Sequence, residues 1–152
     1  MATTAPRKII IAMDGSKQSE YALSYYKENV QHEGDDVTIV FAAEHGNLTS
    51  QPVFSTDPQF LARMCSEEEG EIKKLVDKLE KMLSEAGVQG KVLRYSGNTP
   101  GEAVIKASQE LGADLIITGT RGLGKIRRTL MGSVSQYIVH HAHVPVLVCR
   151  EK

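Results

Sequence analysis

Tryptophan is absent, and aromatic residues make up only 5% of the chain. The core must therefore be aliphatic, which suits a buried parallel sheet better than a β-sandwich. No charge of one sign dominates: 18 Lys and Arg stand against 19 Asp and Glu, a net of −1. Binding to a phosphate backbone calls for a strongly basic face, so nucleic acid is not an expected partner. No apolar run approaches the length that spans a bilayer. The opening Met1-Ala2-Thr3-Thr4-Ala5-Pro6 is polar and runs into Arg7-Lys8 without the apolar segment of a signal peptide. No membrane association is expected, and the expected location is cytoplasmic. There are only two cysteines, Cys65 and Cys149, too far apart for metal or redox spacing. Both are expected to be buried, reduced thiols.

What remains is an ordinary globular composition, 41% hydrophobic and 24% charged, over 152 residues. That length carries one full core and is short for two domains. No repeat, linker or low-complexity segment interrupts it. A single domain over residues 1–152 is expected, with a flexible N-terminus at 1–6 and an irregular loop at 44–58, where Gly46, Asn47, Pro52 and Pro58 break any period.

Apolar runs alternate with helical patterns. Lys8 to Met13 is short, continuous and β-branched, as a central strand would be. It ends at Asp14-Gly15-Ser16, a turn in which Ser16 is placed to cap a helix carrying Ala22, Tyr25, Tyr26 and Val30. Val37 to Ala43 is a second strand after the turn Gly34-Asp35-Asp36. Ile72, Leu75, Val76, Leu79, Met82, Leu83 and Ala86 follow helical spacing, and Gly87 stops them. Glu67-Glu68-Glu69 precedes this stripe and reads as a solvated helix turn, not a metal cluster. Val92 to Tyr95 alternates with Lys91 and Arg94, as a half-exposed strand near a sheet edge does. Thr99-Pro100-Gly101-Glu102 starts a helix with Ala103, Val104, Ala107 and Leu111 on one side. Asp114 to Thr118 is a fourth strand, Ser133 to His141 a helix, and Val144 to Cys149 the last strand.

This βαβαβαβαβ order predicts an α/β fold: a single-domain open parallel five-stranded sheet, order 3-2-1-4-5, with helices on both faces. Ligands of such sheets bind beyond the strand carboxyl ends where the order reverses, here between the first and fourth strands. The fourth strand runs into Gly119 and Gly122, and Gly132-Ser133 follows before the next helix, a spacing of G-x2-G-x9-G-S. Glycine permits close backbone approach to an anion, and the free N–H groups of a helix start face it. Ser133 and Ser135 add hydroxyls there, and an Arg121 guanidinium between two glycines suits phosphate oxygens. A Walker A loop is excluded because Gly124-Lys125 is followed by Ile126 and lacks the Mg²⁺-binding hydroxyl. A dinucleotide fingerprint from Gly122 and Gly124 fails at Arg127. His140, His141 and His143 do not converge as an i, i+4 pair and suit a helix C-terminus better than a metal.

Together with Asp14 and the ending His143-Val144-Pro145-Val146-Leu147-Val148, the glycine spacing resembles the nucleotide-binding signature of universal stress proteins. The resemblance covers nearly the whole chain and implies the adenine nucleotide alpha hydrolase-like (Rossmann-like) fold and the ATP-binding branch of that family. It implies that Ala12, Met13 and Asp14 border the nucleoside, with the Asp14 carboxylate toward ribose and adenine. Ala42, where many relatives carry Val, would meet adenine through its backbone. Gly119, Arg121 and Gly122 would wrap the phosphates from one side, and Gly132, Ser133, Val134 and Ser135 from the helix start. ATP, or AMP or ADP in its place, is the implied ligand, with Mg²⁺ or Mn²⁺ held through the phosphates and not by side chains. The same resemblance implies a homodimer through the last strand, Val144 to Cys149, and protein partners it does not identify. Three activities stay open: a nucleotide-responsive regulatory module in the stress response, a slow ATPase or adenylate-handling enzyme, and a structural dimer with a vestigial site. The intact glycines speak against the last. Neither a carboxylate nor a Gln is evident beside the phosphates to orient water, which favours the first.

Overall fold

The computed structural model describes residues 5–42, 57–120 and 132–151. Its strands are β1 (Lys8–Ala12), β2 (Asp36–Ala42), β3 (Gly90–Tyr95), β4 (Leu115–Gly119) and β5 (Val146–Cys149). All pair in parallel in the order β3-β2-β1-β4-β5, the arrangement expected from the sequence. The helices are α1 (Lys17–Tyr25), α2 (Pro58–Ala86), α3 (Pro100–Leu111) and α4 (Ser133–His141). A π-helical turn, Tyr26–Val30, continues α1, so the segment is helical to Val30 but widens in its last turn.

Strand side chains alternate between faces, and the two faces form separate cores. Ile9, Ile11, Ile39, Phe41 and Ile117 pack with Ala22 and Leu23 of α1 and Leu79 and Leu83 of α2. Ile10, Val40 and Ile116 pack on the other side with Val104 and Ala107 of α3 and Ile138 of α4. Helices thus cover both faces, and β1 is buried between them, its Ile9, Ile10 and Ile11 being almost wholly inaccessible. That double burial is why the run reads as continuously apolar.

Several boundaries depart from the sequence reading. Pro58, read as the end of the irregular stretch, is the first residue of α2: its fixed φ suits that position, and Asp57 caps it by accepting the Gln59 N–H at 3.0 Å. Most of that stretch, and Ala43, lie outside the described residues. The last strand begins at Val146, not Val144, because Pro145 has no N–H to donate; its carbonyl accepts the Ile116 N–H. Cys65 is exposed on α2, against expectation, since it lies N-terminal to the apolar stripe. Cys149 is buried, and burial pushes its thiol up to about 11.

At the amino ends of the strands a polar cluster fastens the sheet to the π-helical turn. Arg7 donates to Asp35 through Nε (2.8 Å) and Nη2 (2.7 Å), and also through Nη2 to the Val30 carbonyl. The Tyr26 hydroxyl and the His32 N–H add bonds of 2.8 and 3.0 Å to Asp35 Oδ2. Among the described residues no helix is long and apolar enough to cross a membrane; α2 is long, but charged along most of its length.

Candidate functional site

β1 lies between β2 and β4, with Ala12 beside Val40 and Thr118. The chain leaves β1 toward β2 and β3 and returns on the other side as β4. Beyond the carboxyl ends at that divergence opens a crevice of about 790 Å³. Its floor is Ala12 at the end of β1 with Met13 and Asp14 after it, Val40 to Ala42 of β2, and Thr118 to Thr120. Its sides are the starts of α1 (Ser16, Gln18, Ser19), α3 (Pro100) and α4 (Gly132, Val134, Ser135). α2 closes it with Glu67, Glu68, Glu71, Ile72 and Leu75.

Three helices therefore bring their amino ends to one cavity, where their partial positive charge favours an anion. Two of these ends are capped by their own side chains. Ser16 Oγ accepts the Ser19 N–H and Thr99 Oγ1 the Glu102 N–H, each at 3.2 Å. The α4 N-cap is Gly132, which has no side chain to occupy the first N–H groups. Its φ of −61° and ψ of 157° suit any residue, so backbone conformation does not require glycine there.

Gly119 is different. A Cβ on it would stand 2.5 Å from the Gln18 carbonyl oxygen, so the close approach of β4 to the first turn of α1 already requires glycine. The Gly119 carbonyl accepts the Ser135 hydroxyl at 2.7 Å. Ser135 lines the crevice, and its hydroxyl proton ties the end of β4 to α4. Ser133 is exposed and is the one expected site residue among those described that does not line the crevice. Asp14 lines it, and its Oδ1 accepts the Ser16 N–H at 2.9 Å, bracing the turn in which Gly15 takes φ +82°. Arg121 and Gly122, and with Gly122 the full glycine spacing, lie outside the described residues.

The charged residues on the described walls are Asp14, Glu67, Glu68 and Glu71, all acidic. Glu71 sits 3.6 Å from Lys74, an exposed pair of little strength. A phosphate group would therefore depend on the α4 N–H groups and on an accompanying cation for its compensation, beyond anything that residues 121–131 add. Among the described residues no three His, Cys, Asp or Glu side chains converge to hold a metal ion. At the end of α4 the His141 ring stacks on Tyr137 and its Nδ1–H donates to the Tyr137 carbonyl at 2.9 Å, a local helix-end contact.

Sequence reasoning missed the α2 wall, Gln18, and the hydroxyls of Thr118 and Thr120. The wall was traceable: Glu68 and Glu71 precede Ile72 and Leu75 at steps of four, which share one helix face.

A sequence profile of the universal stress protein family matches residues 6–150. A putative universal stress protein of Staphylococcus haemolyticus is 34% identical over 146 residues, covering 95% of this chain and 84% of that protein. Among solved structures, a universal stress protein family member from Arabidopsis thaliana with AMP bound superposes with a TM-score of 0.66 at 18% identity, covering 97% and 93% of the two chains. The universal stress protein from Archaeoglobus fulgidus in complex with dAMP gives 0.64 at 20% identity, covering 95% and 98%.

Proposed function

This chain belongs to the universal stress protein family, and on that footing we propose that the crevice between β1 and β4 binds an adenine nucleotide, with ATP as the physiological ligand. The observation that carries this reading is the convergence on one cavity of Ala12, Met13, Asp14, Ala42, Gly119 and the uncapped start of α4 at Gly132 and Val134. Nucleotides bound by the Arabidopsis and Archaeoglobus proteins on the same fold support it. In this arrangement the nucleoside lies toward Asp14 and Ala42, and the phosphates lie toward Gly132, with Arg121 and Gly122 completing their cradle. Four carboxylates on the walls disfavour a free polyanion, so Mg²⁺ or Mn²⁺ enters with the phosphates and is held through them. The protein acts as a cytoplasmic nucleotide-responsive module whose occupied and empty states are read by other proteins.

Backbone conformation leaves position 132 open to any residue, and in this reading a side chain there would obstruct the approach of the phosphates to the start of α4. Gly132→Val is expected to abolish ATP binding while leaving the thermal unfolding curve nearly unchanged. Calorimetric titration of the folded variant checks this, and wild-type ATP affinity would remove the phosphates from this helix end. Hydrolysis is the second reading. Gln18, Glu67, Glu68 and Glu71 line the crevice wall, and hydrolysis would need one of them to reach the phosphates and orient water. Single-turnover assays with labelled ATP separate slow hydrolysis from binding alone.

The β5 edge supports a homodimer. Val146, Leu147 and Val148 are half-buried at the end of the sheet order, and an apolar edge is normally covered or paired. Antiparallel pairing of two β5 strands about a two-fold axis would close it. Val146→Lys with Val148→Lys is then expected to give monomers or insoluble protein, whereas the wild type scatters light as a dimer at micromolar concentration. A monomeric wild type at that concentration contradicts the pairing.

A further inference from the structure

Lys78 lies outside the crevice lining, yet it joins two of its walls. Its Nζ donates at 2.7 Å to the Gly15 carbonyl, in the turn between β1 and α1. That turn presents Asp14 to the crevice, held by the bond from the Ser16 N–H. Next to Lys78, Leu75 Cδ1 stands 3.0 Å from where a Cβ on Gly15 would be, so α2 also packs against the turn through apolar contact. Glu68, Glu71, Ile72, Leu75 and Lys78 succeed one another on α2 at steps of three, one, three and three residues, which together keep to one helix face. The first four line the crevice and the last grips the turn.

We propose that Lys78 is a positioning residue of the nucleotide site: it latches α2 to the Asp14-Gly15-Ser16 turn, and so fixes the direction of Asp14 and the width of the crevice at the nucleoside end. The inference rests on the nucleotide reading of the crevice. A lysine suits the task because its ammonium reaches the carbonyl on a long stem and makes a charge-assisted bond stronger than a neutral donor gives. The stem itself runs over Gly15, with Cδ 3.7 Å from the same Cβ position.

The test uses Lys78→Met, which keeps an apolar stem and removes the donor, and Lys78→Arg, which keeps a cationic donor. Adenosine is the probe, because a neutral ligand does not respond to the lost charge through its phosphates. Loss of this one bond is expected to weaken adenosine by about fivefold in Lys78→Met, with recovery in Lys78→Arg. The Ser16 amide, whose bond to Asp14 reports the turn, should exchange with solvent faster in ligand-free Lys78→Met. A residue that merely stabilised the fold would lower the melting temperature without moving the adenosine affinity of the folded protein. Unchanged affinity in Lys78→Met, where the wild type binds adenosine, overturns the proposal. If the wild type binds neither adenosine nor AMP, the nucleotide reading fails by itself. Ser16 exchange then decides the latch alone, faster exchange supporting it and unchanged exchange overturning it.

Discussion

Asp35→Ala is expected to cost about 2–3 kcal/mol of folding stability, the upper range for leaving a buried donor unsatisfied, because it strips the buried Tyr26 hydroxyl of its acceptor and the part-exposed Arg7 of its ion-pair partner. The Asp35 side chain is only 3% exposed and receives four hydrogen bonds, two from Arg7 and one each from Tyr26 and His32. Without it the buried Tyr26 hydroxyl loses its acceptor and the Arg7 guanidinium keeps only the Val30 carbonyl. For a domain whose whole margin is about 5–15 kcal/mol, that is a large fraction. The same cluster sets an acid dependence. Burial by itself would raise the Asp35 carboxyl, but the bonds from Arg7, His32 and Tyr26 and the Arg7 charge outweigh it and hold the group at about 2. An unfolded Asp titrates near about 3.9. A carboxyl depressed in the folded state stabilises above its unfolded value, and that contribution drains away as pH falls through the folded value. Wild-type stability should therefore drop between roughly pH 5 and pH 2, with a shallower slope in Asp35→Asn. Urea unfolding across that range measures both variants, and identical slopes would mean Asp35 is not the group responsible. The cluster sits at the strand ends away from the crevice, so folded Asp35→Asn protein should keep its nucleotide affinity.

Gly119→Ala is the second large effect, and it acts at the crevice itself. The added Cβ would lie 2.5 Å from the Gln18 oxygen and 2.9 Å from the Gln18 carbonyl carbon. Both are backbone atoms, so no rotamer change relieves the overlap and the first turn of α1 must move. A cost of about 3 kcal/mol is expected, at the upper end of ordinary overpacking. The displaced turn carries Ser16, Gln18 and Ser19 of the crevice wall, so ligand affinity should fall as well. Denaturant unfolding without ligand separates this account from a purely ligand-facing glycine: an unchanged midpoint would show that α1 does not crowd position 119.

The central strands were legible in the sequence because β1, β2 and β4 are short, β-branched and buried on both faces, while β3 was legible from its alternation with Lys91 and Arg94. The starts of α1 and α3 were legible from Ser16 and Thr99-Pro100, since capping chemistry is local, and that of α4 from the glycine before Ser133. Pro58 misled because the same residue that breaks a period also opens a helix, and only Asp57 before it distinguishes the two. Gly119 was assigned to phosphate approach alone, although a neighbouring helix makes the same demand for a missing Cβ; that contact joins residues a hundred positions apart and leaves no local mark. Ser135 reads as a donor at a helix start, but which acceptor takes its proton depends on where β4 ends in space. The acidic wall of α2 was visible as charge and as helix phase, yet its proximity to β1 arises from packing across the sheet.

Calorimetric titration of the purified protein with ATP, AMP and adenosine in the presence of Mg²⁺ tests the central assignment most directly. Saturable binding of one nucleotide per chain, with ATP and adenosine competing for one site and both weakened by Asp14→Asn, is the predicted result. Absence of saturable binding by any of the three up to millimolar concentration, in protein shown by its unfolding transition to be folded, would contradict it.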